Sequence, residues 1–270
     1  MQDSFEKIKS DYLGCCPELP DIVSDFFDMT RVVNFSKTSF ANIFANDPIL
    51  QQRIFSYVNQ TLSQADSFIS INKAISLIGL HKFKNIVLVL SLFPLFQDAG
   101  AVDLFKSSLL SAYYAKTIAS NLQLINPDDA FLLGFLLDIG KLPMLNKFGS
   151  EYRSFAFDEN DSLIYYFSQR DEKRLFGYSH VELSEFVCKT WKLPKVIVDA
   201  IKCHHSPFDS TLPEVACIAY LSSLLVLKNV KFNDLTQKVF SYMNISKGDL
   251  ISMVFGVDKK VIPFYEILEI

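Results

Sequence analysis

The sequence carries no excess of positive charge, because 26 Lys and Arg residues stand against 30 Asp and Glu residues and give a net charge of −4. A protein without a basic field does not attract nucleic acid or an anionic membrane through charge alone. Long apolar runs are also missing. The longest, Ile86–Phe96, is shorter than the ~20 residues that span a bilayer, and it contains Pro94. We therefore expect neither nucleic-acid binding nor membrane insertion.

Cysteine is scarce, and the five residues form neither a C-x-x-C pair nor the framework of a disulfide-rich domain. The first residues also lack the basic-then-apolar order of a signal peptide. Reduced thiols in a cytoplasmic protein are therefore the expected state. Cys188, Cys203 and Cys217 could bind zinc together with His204. Their spacing matches no structural zinc module, so packing in a core explains them better.

Glycine and proline are few, at 9 and 10 residues in 270, and they fall mostly between apolar segments. This distribution is typical of helices joined by short loops. No segment alternates apolar and polar residues in the way that a strand does. Half of the residues are apolar, which is enough for a large buried core. We expect an all-α fold.

The predicted helices fall into two groups, separated by Gln97–Ala101 (QDAGA). In the first group, Asp47 caps a helix whose first residue is proline, and Gly79 ends one helix before the next begins. These signals predict two helical subdomains, 1–96 and 102–270. The helices predicted in the first subdomain are Asp3–Tyr12, Asp21–Val33, Phe40–Ala45, a helix from Pro48, Asn72–Ile78 and Lys82–Phe93.

The second group contains the most apolar helix of the chain. Asn126 is followed by proline and two acids, which is the pattern of a helix start. The helix Ala130–Asp138 is apolar on nearly all sides, so it is expected to cross the centre of its subdomain. Further on, Ser179 begins a capping-box pattern that predicts the helix His180–Trp191. The helix after that is expected to end at His204–His205.

The stretch GFLLDIGKLPML, Gly134–Leu145, is the most informative part of the sequence. Asp138 ends the predicted apolar helix, and Gly140 and Lys141 follow it. The Asp138 carboxylate and the Lys141 ammonium could form a local ion pair that holds the turn after the helix. Leu137 precedes the acid and extends the apolar run. Leucine has no lone pair to give to a metal, so position 137 cannot supply a metal ligand.

Several segments together resemble the HDOD family, the HD-related output domains of bacterial signalling proteins. In order along the chain they are ELPDI (Glu18–Ile22), DPILQQRIFSYVN (Asp47–Asn59), INKAISLIGLHKFKNIVL (Ile71–Leu88), FLLGFLLDIGKL, GYSHVELSEFVCKTWKLP and AIKCHH. They extend from Pro17 to Leu225 and leave the tail beyond Val230 unmatched. The resemblance implies that the second subdomain is a degenerate HD-type helical bundle, related to metal-dependent phosphohydrolases.

The resemblance also implies which positions would form the metal site of an HD hydrolase. The early histidine corresponds to Ser107, the histidine of the His-Asp pair to Leu137, and the final aspartate to Ser223. A hydrolytic metal needs several ligands in fixed geometry, so three losses predict no catalytic residue, no metal and no other cofactor. The polar residues that remain are Asp138, His180, His204 and His205, with Lys141 beside them.

Two interpretations of these remaining residues stay open. Asp138, His180, His204 and His205 could still hold a metal, since imidazole and carboxylate groups are suitable ligands. Alternatively they form a buried polar cluster, which we favour. The two adjacent histidines also lie at a predicted helix end, where a protonated imidazole would interact favourably with the helix dipole.

The function that the resemblance implies is non-enzymatic. We expect a cytoplasmic bacterial regulator that binds a protein partner in a signalling pathway, with a nucleotide as a further candidate ligand. The alternative is a metal-dependent HD-type phosphohydrolase that acts on a nucleotide or cyclic dinucleotide with a reduced ligand set. His81, Lys82 and Lys84 resemble a nucleic-acid contact, but in an acidic chain a solvated helix face is the better interpretation.

Overall fold

The computed structural model describes residues 2–30, 44, 47–62, 70–157, 169–227 and 232–270. Every regular element in these ranges is a helix, which confirms the predicted all-α class. The helices, α1 to α16 in chain order, are Gln2–Asp11, Asp21–Thr30, Pro48–Leu62, Ile71–Ile78, Leu80–Asp98, Val102–Leu122, Pro127–Leu136, Lys141–Phe148, Ser150–Ala156, Gln169–Phe176, His180–Thr190, Lys195–Cys203, Pro213–Leu225, Asp234–Met243, Lys247–Val254 and Ile262–Leu268. Two short 3-10 helices are Pro207–Asp209 and Val257–Lys260.

The chain divides into two compact units, but these differ from the two continuous subdomains expected at 1–96 and 102–270. The larger unit contains Met1–Pro17 and Phe96–Asp258, and the smaller contains Glu18–Leu95 and Lys259–Ile270. A division near residue 96 is thus present. Each unit, however, also includes one end of the chain.

Aromatic packing explains why the two chain ends belong to these units. In the larger unit, Phe5 of α1 packs on Phe186 of α11 with ring centroids 4.6 Å apart. In the smaller unit, Phe264 of α16 packs on Tyr57 of α3 at 4.5 Å, and both rings are buried. Such contacts join positions far apart in the sequence, so local patterns do not predict them.

Helix α7 forms the apolar centre of the larger unit. All residues from Ala130 to Leu136 are buried, as its apolar surface predicts. Gly134 brings α7 close to α6, because a Cβ atom at this position would overlap the backbone of Ser111. The helix ends at Leu136, two residues before the predicted end, and Leu137–Gly140 form a turn. The acid of the motif therefore lies in this turn and not in the helix.

The predicted end of α5 at Phe93 is wrong. The helix includes Pro94 and continues to Asp98. Proline removes one backbone hydrogen bond, which usually ends or bends a helix. Here Pro94 is exposed while Phe93 and Phe96 are buried, so the packing of the flanking rings holds the helix beyond the proline.

The apolar run Ile86–Phe96 lies within α5 and is buried except at Pro94 and Leu95. Among the described residues, no single helix is long and apolar enough to cross a membrane. The bent pair α4 and α5, which meet at 119°, satisfies the length and composition requirement only when both helices are taken together.

Capping signals predict the helix starts well. Ser179 accepts a hydrogen bond from the amide of Glu182, whose carboxylate accepts one from the Ser179 amide, so the predicted capping box is present at α11. The predicted helix Phe40–Ala45, apart from Phe44, lies outside the residues that the structure describes, as do the last three residues of Asp21–Val33.

Candidate functional site

The candidate site is built on the turn Leu137–Gly140, between α7 and α8. One buried hydroxyl holds this turn, because Ser184 of α11 accepts a hydrogen bond from the Gly140 amide at 2.9 Å and donates one to the Leu137 carbonyl at 2.9 Å. Gly140 must be a glycine, since a Cβ atom there would overlap the backbone of α11. The glycine of the motif thus lets α11 lie against the turn that carries Asp138.

Asp138 and Lys141 form the ion pair that the motif predicts, with Oδ1 and Nζ 2.9 Å apart. Both side chains are buried. Burial alone would raise the pKa of Asp138, but the Lys141 ammonium and the rings of His180 and His204 outweigh it, and the pKa lies well below its usual value. The carboxylate is therefore charged at neutral pH and is held by groups of its own chain.

His180, the first residue of α11, joins Asp138 to a second buried carboxylate. Its Nε2 is 3.4 Å from Asp138 Oδ1, and its Nδ1 is 2.6 Å from Oε2 of Glu172. The His180 backbone amide also donates to Glu172 Oε2 at 2.9 Å, which satisfies one of the free N–H groups at a helix start. Tyr152 donates its hydroxyl to Oε1 of the same carboxylate at 2.9 Å.

The charge states of Glu172 and Tyr152 follow from this arrangement. Burial would raise the pKa of Glu172, yet His180 and Lys141 bring it below its usual value. Burial and the neighbouring carboxylate raise the pKa of Tyr152 well above its usual value. At neutral pH the tyrosine is therefore a protonated donor, and the glutamate is a charged acceptor.

His204 and His205 follow α12 and complete the cluster. His204 is buried, its Nδ1 donates to the Ile201 carbonyl at 2.6 Å, and its Nε2 has no hydrogen-bond partner. The Nε2 atoms of His205 and His180 are 3.1 Å apart. Burial lowers the pKa of His204 to about 4 and that of His205 well below its usual value. Both rings are neutral at pH 7, so the predicted dipole interaction, which requires a protonated ring, does not apply.

The three histidines lie close enough together to hold one metal ion, since a ligand atom from each lies within 4.8 Å of the others. In the described part of the chain, no other group of three or more His, Cys, Asp or Glu residues meets this criterion. The structure therefore brings together all five predicted polar residues. These are Asp138, Lys141, His180, His204 and His205.

The three positions assigned to lost ligands lie around one small cavity. Ser107, Leu137 and Ser223 line it together with Asp138, and it has room for about one water molecule. The Ser223 hydroxyl donates a hydrogen bond to the Tyr220 carbonyl of the same helix at 2.9 Å. An ion at this point would meet one carboxylate and no imidazole among the lining residues. The residues around the cavity do not fit the catalytic metal of an HD hydrolase.

The other candidates from the sequence lie outside the cluster. Cys188, Cys203 and Cys217 are buried free thiols, and burial raises the pKa of each, so they suit packing better than zinc binding. His81 and Lys82 are exposed on α5, in agreement with a solvated helix face.

Glu172 and Tyr152 belong to the cluster but were not predicted from the sequence. The glutamate lies in α10, QRDEKRLF, whose run of charges is typical of a solvated helix. One feature of the sequence could have predicted the burial of Glu172, namely its spacing from Phe176. Glu172 and Phe176 are the two buried residues of α10, and residues four apart share a helix face. An acid placed four residues before a core phenylalanine can therefore face the interior.

The fold and the cluster together define an all-helical protein with a buried polar cluster of histidines, carboxylates and one lysine. The model of the HDOD domain family matches residues 16–207, which is most of the chain. The protein therefore belongs to the HDOD family, and the predicted resemblance is confirmed. A comparison with curated proteins found no match.

Solved structures share this fold at low sequence identity. An HDOD domain protein of unknown function from Geobacter sulfurreducens is 21% identical with a TM-score of 0.74, over 99% of this chain and 97% of that one. A candidate signal transduction protein from Marinobacter aquaeolei VT8 is 16% identical with a TM-score of 0.73, over 97% of this chain and 61% of that one. A candidate phosphohydrolase from Shewanella amazonensis SB2B is 19% identical with a TM-score of 0.64, over 97% and 96%. These likenesses show the fold alone.

Proposed function

We propose that this protein is a non-enzymatic regulator in bacterial signalling that acts by binding a protein partner. One observation carries the proposal: Ser107, Leu137 and Ser223 surround a cavity with room for about one water molecule, where a hydrolase would place metal ligands. A hydrolytic ion needs several nitrogen or oxygen ligands and an open position for water. Membership of the HDOD family supports the regulatory role.

The state of Asp138 supports the same proposal. In a hydrolase this carboxylate would bind the ion, whereas here its Oδ1 is 2.9 Å from the Lys141 ammonium and both side chains are buried. The Lys141 ammonium already balances the charge of this carboxylate, and an ion at the cavity would lie close to that cation and be repelled by it.

The proposal is tested by assaying the purified chain with nucleotides, cyclic dinucleotides and generic phosphodiesters in the presence of Mg²⁺, Mn²⁺, Fe²⁺ or Ni²⁺. We expect no turnover above that of Asp138→Ala prepared in parallel. Asp209→Ala, at an exposed residue of the 3-10 helix Pro207–Asp209, is the matched control for loss of an aspartate. Turnover that Asp138→Ala abolishes and Asp209→Ala retains would overturn the proposal.

The alternative, an HD-type phosphohydrolase with a reduced ligand set, has one observation in its favour, namely the three histidines next to Asp138. The same assay decides between the two functions. A nucleotide ligand would need more space than the cavity offers. We therefore expect a nucleotide screen to leave the melting temperature unchanged, and a reproducible increase would instead support a nucleotide-binding regulator.

A further inference from the structure

We propose that the larger unit binds a small organic cation with an apolar stem, an alkylammonium or an alkylguanidinium, in an open pocket beside α15. The volume of this pocket is about 460 Å³, within the range of ≈ 300–1,000 Å³ that small-molecule sites occupy. Its walls are the last two residues of α6, the two residues that follow α14, and one face of α15. We call it the α15 pocket. The inference goes beyond the proposed regulatory function and does not depend on it.

The α15 pocket lies apart from the site described above. None of its lining residues belongs to the histidine cluster or to the cavity around Ser107 and Ser223. The match to the HDOD model ends at residue 207, and two of the three walls lie beyond it. Neither the family match nor its motif positions therefore assign a role to this pocket.

Packed helices hold the walls of the pocket in place. Leu250 of α15 is fully buried in a core cluster that also contains residues of α6 and α14. Asp249, Ser252 and Met253 line the pocket together, because residues three and four apart share a helix face. The pocket is thus formed by a packed core before any ligand arrives.

Two helices end at this pocket with their carboxy termini. Helix α6 ends at Leu122 and α14 ends at Met243, and the residues that follow, Gln123 and Asn244, adopt the left-handed conformation that terminates a helix. The last carbonyl groups of a helix lack intrahelical partners and together carry roughly half a negative charge. Both helix ends therefore favour a cation.

Asp249 adds a full negative charge to the same pocket. Its Oδ2 accepts a hydrogen bond from the Ser246 amide at 2.8 Å, and the bonds to Ser246 hold the pKa of this carboxyl below its usual value. The group is therefore charged at neutral pH. A carboxylate has about four lone-pair sites, so acceptor capacity remains for a ligand. The same capping box offsets the positive amino-terminal end of α15.

Within the part of the chain that the structure describes, no Lys, Arg or His residue lines the pocket. The adjacent cation, Lys247, places its ammonium over the ring of Phe232, 4.9 Å from the centroid and away from the lining residues. Asn121 supplies a further acceptor, since its Nδ2 donates to the Thr117 carbonyl at 2.9 Å and leaves Oδ1 for a donor. A phosphate or carboxylate ligand would instead meet negative charge.

The apolar part of the lining favours an organic cation over a metal ion. Leu122, Ile245 and Met253 present hydrocarbon and thioether surface to the pocket. A calcium ion takes about 6–8 oxygen ligands, whereas Asp249 is the one carboxylate among the described lining residues. An alkyl stem can lie against the apolar side chains while its cationic head meets Asp249 and the helix ends.

The experiment titrates the full-length chain with hexylamine or butylguanidine and follows the backbone amide resonances by NMR. We expect saturable binding of one cation per chain, with shifts at Ile245 and Ser252. Hexanoate, which has a similar stem and the opposite charge, should not bind. Asp249→Asn keeps an acceptor for the Ser246 amide and removes the charge, so it should weaken binding about tenfold, as for the loss of a charge-assisted hydrogen bond. Asp234→Asn, at an exposed acid in the first turn of α14, is the matched control and should bind as the parent does.

Met253→Ala tests the apolar wall separately. It should weaken the binding of hexylamine several-fold, because the stem loses its contact with the thioether. Ile251→Ala, at a residue 49% exposed in the same helix and outside the lining, is the control and should leave the affinity unchanged.

A guanidinium group can come from a free small molecule or from an arginine side chain of a protein partner. Titration with N-acetyl-arginine amide separates the two sources, because this probe carries the same head group on a stem flanked by peptide groups. Tighter binding than that of butylguanidine would assign the site to a partner's side chain, and weaker binding would assign it to a free cation.

The proposal is overturned if neither cation shifts the pocket resonances at millimolar concentration, or if hexanoate binds as well as hexylamine. It is also overturned if Asp249→Asn, shown to be folded by circular dichroism, binds as tightly as the parent. Phosphodiester turnover would contradict the proposed function and leave the α15 pocket standing, whereas a lack of cation binding would leave the proposed function standing.

Discussion

At the scale of single residues, the Glu172 carboxylate shows how hydrogen bonds stabilise a buried charge. It accepts from the backbone amide and Nδ1 of His180 on one oxygen and from the Tyr152 hydroxyl on the other. Tyr152 also packs its ring edge-on against Phe176 of α10, at 5.3 Å between centroids. One side chain thus contributes packing through its ring and a hydrogen bond to a charged group through its hydroxyl.

We expect Tyr152→Phe to lower the free energy of unfolding by about 1.5–3 kcal/mol, since the ring contacts stay and only the bond to the carboxylate is lost. Urea unfolding followed by circular dichroism measures the change. Tyr242→Phe is the control, because this tyrosine is 50% exposed, and it should stay within about 0.5 kcal/mol of the parent. Equal effects of the two substitutions would show that the buried hydroxyl does not stabilise the fold.

The residue-scale predictions succeeded where partners are close in sequence. Asp138 and Lys141 are three apart across one turn, and their pairing follows from the motif. Glu172 lies in a charged run in which Phe176 is the one apolar residue that indicates the buried side. The partners of Glu172, Tyr152 and His180, lie on other helices. A charge pattern shows that a helix can face water, but it does not show which single acid turns inward.

At the scale of elements, Gly140 sets how closely α11 approaches the turn after α7. A Cβ atom here would overlap His180 and Ser184 backbone atoms, which cannot rotate away as a side chain can. The Ser184 hydroxyl that joins Gly140 and Leu137 would be displaced as well. A substitution at this position therefore acts on the packing of two elements at once.

We expect Gly140→Ala to destabilise the protein by about 3 kcal/mol, at the upper end of overpacking costs, because backbone must move. Gly248→Ala in α15 is the matched control, since the added Cβ would meet only Ser246 Oγ, at 3.5 Å. Gly248 lies in the first turn of the helix, so alanine there should change the free energy of unfolding by less than about 1 kcal/mol. Chemical denaturation of both variants gives the comparison. If Gly140→Ala unfolds at the same urea concentration as the parent, the close approach of α11 is not required.

Helix starts were predicted better than helix ends for a physical reason. A cap such as Ser179 satisfies backbone amides with its own side chain, so the signal is local. The end of α5 depends on the burial of Phe93 and Phe96 against other parts of the chain, which overrides the proline between them. The end of α7 likewise depends on the serine that α11 supplies to the turn.

At the scale of the whole molecule, each chain end is part of a unit whose other residues are distant in sequence. Phe264 near the carboxy terminus is fully buried and packs against Tyr57 of α3 in the smaller unit. Motifs and helical periodicity predict the all-α class and the family, because both are written in contiguous segments. They do not predict which unit a terminal helix joins, since that is decided by contacts across the sequence.

We expect Phe264→Ala to cost about 3–5 kcal/mol within the smaller unit, the usual loss for a buried phenylalanine. Hydrogen exchange should show faster exchange of the α3 amides than in the parent, while the amides of α7 in the larger unit change less. Ile262→Ala, at a residue 46% exposed in the same helix, is the control and should leave both helices protected. Uniform loss of protection in α3 and α7 would show that the chain unfolds as one cooperative body.

The connection between α11 and α12 has a mechanical consequence for the histidine cluster. His180 opens α11 and His204 follows α12, so the rings meet at the ends opposite the short link at residues 191–194. At 1.5 Å per residue α11 is about 16 Å long, and spreading the two helices by about 10° would move His180 by roughly 3 Å. The distances between the histidine rings therefore depend on the angle between α11 and α12. A change of about 10° in that angle would be enough to break the 3.1 Å contact between the Nε2 atoms of His180 and His205.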